Sequence, residues 1–112
     1  MDEQTRIVND LVVELRKGLV VLSVLTVLGA PRYGYQLAKD LEQEGIPMDT
    51  NTLYPLLRRL ESQGMLRSTW DTQDNKPRKY YHRTDLGEAV LGQLWMQWQD
   101  MGRAMARLHQ GG

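Results

Sequence analysis

The stretch NTLYPLLRRLESQG, residues 51–64, decides how this chain is read. Leu53, Leu56, Leu57 and Leu60 recur at helical spacing and make one apolar stripe, and Gly64 supplies a stop. Asp49, Thr50 and Asn51 each carry a side-chain oxygen able to accept an orphan N–H in the first turn. Pro55 lies near that start, and a cap close to Asn51 makes its missing N–H nearly costless, because the earliest N–H groups have no intrahelical partner. The face opposite the leucines is polar and basic: Thr50, Asn51, Tyr54, Pro55 and Arg58 point outward, while Arg59 lies nearer the Leu56/Leu60 side.

Working outward, the period changes after Gly64. Leu66, Ser68 and Trp70 alternate with Arg67, Thr69 and Asp71, as in a strand. The turn-rich segment 71–77 then leads into a returning strand over 78–84, giving a hairpin. Thr84 or Asp85 caps a last helix reaching about Leu108. Upstream, Ile7, Val8, Leu11, Val12 and Leu15 mark an amphipathic helix over 3–17. Gly18 breaks it before an all-round apolar helix that ends at the Gly29-Ala30-Pro31 stop. A further helix over 33–44 buries Leu37, Ala38 and Leu41, ends at Gly45 and is followed by Pro47. The fold class is therefore mainly α with a two-stranded β-hairpin, a winged helix-turn-helix flanked by N- and C-terminal helices. Domain boundaries are predicted at 1–17, 18–84 and 85–109.

The 112 residues suit one compact domain. Lys plus Arg balance Asp plus Glu at 14 each, so net charge points to no polyanionic partner. The distribution is more informative: residues 58–83 carry seven basic groups against three acidic ones, a local +4 that both flanks offset. No cysteine is present, so disulfides and thiolate metal sites are excluded and a reducing compartment is allowed. The acidic, polar start MDEQTR is unlike a secretory signal. The apolar run LVVLSVLTVL, 19–28, is about half the ~20 residues a membrane span needs. A cytoplasmic protein is expected, with no membrane partner, and the only candidate for disorder is GlnGlyGly at 110–112.

Three motifs carry a resemblance. YGYQLAKDL (33–41), TNTLYPLLRRLESQGML (50–66) and KPRKYYHRTDLG (76–87) occur in order with compatible spacing, and together they resemble the PadR-like transcriptional regulators. The match spans roughly residues 19–91. One departure is Arg83, which stands where that family commonly has an apolar residue, usually leucine. With one helix after the wing, the chain resembles the family's short branch.

The major groove of B-DNA admits one α-helix, whose N-terminal and exposed residues meet base edges. Thr50, Asn51 and Thr52 are suited to hydrogen-bond bases or phosphate, Tyr54 to reach phosphate, Pro55 to touch a thymine methyl, and Arg58 to span two acceptors, with Arg59 able to swing to a phosphate. Lys76, Arg78 and Lys79 make the hairpin a second cationic element for backbone or minor-groove contact. Tyr35 assists where the 33–44 helix presents amides to a phosphate. Of Tyr80 and Tyr81, alternation sends one to the core and the other outward.

Leu91, Leu94, Trp98, Met101, Met105 and Leu108 follow a coiled-coil seam, more apolar surface than a small winged domain covers by itself. A homodimer is expected, completed by Ile7, Leu11 and Leu15 of the first helix. Dimer core is the plainer reading of Trp95 and Trp98. The sharper one is an effector pocket formed by Trp95, Trp98 and Met101 for a small planar aromatic ligand. The resemblance supports it, since short PadR-like multidrug sensors use an aromatic residue on this helix, and Trp98 fits that position best. It also implies a repressor that binds a pseudo-palindromic operator in double-stranded DNA.

An enzyme is not expected. His82 and His109 have no nucleophile or metal-ligand spacing beside them, His82 reads as solvated or phosphate-facing, and no Gly-rich phosphate loop, cofactor or metal site is present. The rival reading is a winged helix that binds protein instead of DNA; the basic wing and Arg58 favour a polyanion.

Overall fold

A computed structural model describes residues 2–73 and 75–111. Asp74 of the wing turn and Gly112 of the C-terminal GlnGlyGly lie outside the described residues. The chain runs α1 (Glu3–Lys17), α2 (Val20–Val27), β1 (Arg32–Tyr33), α3 (Gly34–Gln43), α4 (Thr50–Ser62), β2 (Leu66–Asp71), β3 (Arg78–Arg83) and α5 (Asp85–Gly111).

Local chemistry explains the ends of these elements. Asp2 caps α1 by accepting the Thr5 N–H at 2.7 Å, and that bond holds its carboxyl below the usual range. Both α3 and α4 close with paired Schellman bonds. Ile46 N–H reaches Leu41 O at 2.8 Å and Met65 N–H reaches Leu60 O at 3.0 Å. Each closure needs a residue in the left-handed region, supplied by Gly45 (φ 80°) and Gly64 (φ 84°). The cap of α4 is Asp49, whose carboxylate accepts the Asn51 N–H at 2.8 Å. That moves the helix start two residues earlier than a cap at Asn51. Pro55 thus falls beyond the first turn, and the Asn51 carbonyl loses the N–H that residue 55 would otherwise donate.

The sheet has three strands, not the two that the sequence predicts. Its order is β1-β3-β2, all antiparallel, with Arg32 opposite Tyr81 and Tyr33 opposite Tyr80. Two residues are too few to show a period, and only the arrival of β3 turns them into a strand. At the other end α5 continues past Leu108, so Gln110 and Gly111 are helical.

The core joins Val24, Leu25 and Leu28 of the α2 end to Leu37 and Leu41 of α3, Leu53, Leu57 and Leu60 of α4, Leu66 and Tyr81. Leu56 is half-buried at its edge. Leu91 and Leu94 also lie half-buried against this core, so the first part of the predicted seam is covered by the chain's own residues. Beyond them Trp98, Met101, Met105 and Leu108 are exposed, as are Ile7, Leu11 and Leu15 on α1, which contributes no buried residue. No helix among the described residues is long and apolar enough to cross a membrane.

Candidate nucleic-acid interface

The buried leucines fix the rotation of α4 and leave Asn51, Thr52, Tyr54, Pro55, Arg58 and Arg59 exposed, with Thr50 half-buried. Tyr54 is held against the start of α3: a Cβ on Gly34 would stand 2.4 Å from its ring. The absence of a side chain at Gly34 leaves room for the end of that ring. Tyr35, one residue on, is exposed, with the Lys39 ammonium 5.0 Å from its ring centroid.

Between the α3 start, α4 and the wing lies an open groove of about 780 Å³. It brings together five predicted residues from three elements: Tyr35, Tyr54, Arg58, Arg78 and Lys79. The others take different places. Thr50, Asn51, Thr52, Pro55 and Arg59 lie outside its lining on α4, and Lys76 is exposed near the wing tip. Trp70 also lines the groove, although no sequence motif marks it as a contact. The available signal is its period-two spacing with Leu66 and Ser68, which puts it with them on the sheet face turned toward α4.

The wing cations are not equivalent. Lys79 is half-buried, its ammonium 3.6 Å from the Glu61 carboxylate of α4 and 5.3 Å from the Tyr81 ring. Glu61 also accepts the Ser68 hydroxyl, and this hydrogen bond first, then the Lys79 charge, holds its carboxyl below the ordinary value against the opposing effect of burial. Arg78 lies over the Tyr33 ring at 5.0 Å. Lys76 and Arg78 are both exposed.

Neither tyrosine of the Tyr80-Tyr81 pair is spare. Tyr81 is core. Tyr80 packs on Tyr33 with ring centroids 4.1 Å apart, its hydroxyl donating to the Tyr33 hydroxyl and lying 3.4 Å from Asp71. Those contacts, the Tyr33 bond above all, push the Tyr80 phenol up to about 12, because ionisation would forfeit the donor. His82 pairs with Arg67 across the strands and is half-buried, facing away from the groove instead of into it, since it alternates with Tyr81. Among the described residues no group of three His, Cys, Asp or Glu is placed to hold a metal ion.

On α5, Trp95 and Trp98 stack with centroids 5.1 Å apart and border an apolar cavity of about 270 Å³ with Leu19, Leu22, Val27 and Ile46. Met101 lies outside that lining. The two indoles are 46% and 43% exposed, so they are not core residues of the single chain.

Comparison with known proteins gives consistent matches. The model of the transcriptional regulator PadR-like family matches residues 21–93. A crystal structure of a PadR family transcriptional regulator from Eggerthella lenta DSM 2243 is 50% identical, covers 94% of each chain and superposes with a TM-score of 0.90. A PadR-like transcriptional regulator from Bacillus cereus is 27% identical over 88% of this chain and 99% of its own, with a TM-score of 0.79. A transcriptional regulator of Mycobacterium tuberculosis is 37% identical over 59 residues, 53% of this chain and 55% of that protein.

Proposed function

The chain belongs to the PadR-like family of transcriptional regulators, and from that premise we propose that it is a cytoplasmic, sequence-specific DNA-binding repressor that reads a pseudo-palindromic operator as a homodimer. The observation that carries this reading is the groove: cations and hydroxyls from α3, α4 and the wing converge on one concave face beside the helix whose rotation the leucine core fixes. Asn51, Thr52, Tyr54, Pro55 and Arg58 read the major groove, while Lys76 and Arg78 bind backbone on the flank. Pairing through the terminal segments 1–17 and 85–109 covers Ile7, Leu11, Leu15, Trp98, Met101, Met105 and Leu108, whose exposure supports a second copy. Residues 18–84 form the DNA-binding domain between them.

A fluorescence anisotropy titration with duplex fragments of the neighbouring promoter tests this. Replacing Lys76, Arg78 and Lys79 together by alanine is expected to weaken binding about tenfold and to lower the salt slope by about two to three, one unit for each phosphate no longer neutralised. The opposite change comes from Glu61→Gln, which frees Lys79 from its carboxylate: affinity rises by about threefold and the slope steepens by about one. No duplex binding at low salt overturns the proposal and leaves a protein-binding winged helix.

A small planar aromatic effector bound near Trp95 and Trp98 would release the operator by shifting the pairing of the terminal helices. Their stacking and exposure beside an apolar cavity support this. Planar aromatic compounds are expected to quench tryptophan emission, and Trp98→Ala to abolish most of the quenching while the dimer persists in sedimentation. Unaltered emission across a broad compound panel leaves the two indoles as interface packing.

A further inference from the structure

We infer that Trp70 is a DNA-backbone contact, packing its indole face on the deoxyribose of the strand that passes between α4 and the wing. The inference rests on the DNA-binding reading above and adds to it a residue and a mode of contact. Trp70 is 64% exposed, so it is not held by the core. Its row on β2 begins with buried Leu66, continues with Ser68 bonded to Glu61 of α4, and ends with Trp70 overhanging the groove. Directly across the strands stands Lys79, whose ammonium is 6.0 Å from the indole centroid.

The chemistry of this wall is mixed. Cations alone serve phosphates, and an exposed indole beside Lys79, in a groove that Arg58 and Arg78 also line, serves something apolar that recurs beside negative charge. A sugar-phosphate strand has that composition: anionic oxygens alternate with C–H faces of deoxyribose. The match is to backbone, not to base edges, because bases of a duplex are stacked away from a groove on the flank of the reading helix. Trp70 thus strengthens binding to every duplex alike and sets how closely the wing rides on the strand.

The test uses the full-length protein and two duplexes, promoter and scrambled, with variants Trp70→Ala and Trp70→Phe. Losing the indole face is expected to weaken both duplexes by about tenfold, leaving the salt slope unchanged because no cation is removed. Trp70→Phe retains a flat ring and stays within about threefold of the wild type. Melting temperatures of all three proteins should agree to within a few degrees, since Trp70 is largely exposed and lies outside the core. If the wild type binds duplex and Trp70→Ala binds as tightly, this inference falls while DNA binding stands. A salt slope that drops with Trp70→Ala also overturns it, by showing that the ring serves only to place Lys79. Failure of the wild type to bind any duplex removes both readings together.

Discussion

Gly87→Ala is expected to lower the melting temperature by about 10–20 °C, which follows from about 3 kcal/mol lost in a domain of this size. Helix propensity predicts the opposite sign, since alanine is favoured over glycine inside a helix by about 1 kcal/mol. Sterics decide. Gly87 is buried in the first turn of α5, and a Cβ there would stand 2.2 Å from the Met65 carbonyl oxygen and 2.8 Å from the Arg83 Cγ. The first obstacle is backbone and is itself engaged, because Met65 O accepts the Thr84 N–H at 3.1 Å. Thr84 is fixed too: its hydroxyl donates to Gly64 O at 2.6 Å and accepts the Gly87 N–H at 3.1 Å. No side chain can swing aside to make room, so either α5 shifts or the start of β2 does. Thermal melting followed by circular dichroism checks this; an unchanged or higher melting temperature would show that the α5 junction is looser than these distances require.

The second large effect is at Arg83. Its guanidinium, 15% exposed, donates to Leu25 O at 2.7 Å and lies 3.4 Å from Thr26 O and 3.1 Å from the Glu88 carboxylate. The backbone contributes as well, with Arg83 N–H on Leu28 O at 2.9 Å. One residue at the end of the wing thereby ties the last turn of α2 to α5, with positive charge at a helix C-terminus, where the macrodipole favours it. This is how an arginine serves at the base of the wing: its stem passes beside Gly87 of α5 while its head satisfies carbonyls at the α2 end. Arg83→Met keeps the stem and removes the donors, and should cost about 2 kcal/mol, the range for a hydrogen bond to a charged group. Glu88→Gln should cost under about 0.5 kcal/mol, because Glu88 is 71% exposed and such pairs are largely screened. Chemical denaturation of both variants measures the ratio; equal losses would transfer the effect from the helix end to the ion pair.

Much of the architecture is legible in the sequence because each element carries its own local signal. The α4 leucines, the Gly45 and Gly64 stops and the alternation from Leu66 to Trp70 are properties of short segments, decided by side-chain period and backbone sterics. The exposed face of α4 is legible for the same reason: once four leucines define the inward side, Asn51, Tyr54 and Arg58 follow geometrically. The resemblance to the family also marks Arg83 as a departure, though not what it touches.

Other features depend on partners distant in sequence. β1 is a strand only because Tyr80 and Tyr81 come alongside it, and the Tyr54 ring rests beside Gly34, twenty residues earlier in the chain. A cap at Asn51 sets Pro55 too near the helix start, because three consecutive residues are chemically able to cap α4 and the fold selects the earliest. The wing cations read as one cluster along the strand, yet alternation and the approach of α4 give Lys79 to Glu61 and Arg78 to the Tyr33 ring. Trp70 reads as one more strand aromatic, and only the fold carries the end of its row beyond the core. Sequence alone determined the five helices, the β2-β3 hairpin and the resemblance to the family, because hydrophobic period, caps and turns act within a few residues. Tertiary structure decided which polar and aromatic groups meet in the groove, because Coulombic and stacking contacts depend on distances of a few ångströms between segments that the chain order does not bring together.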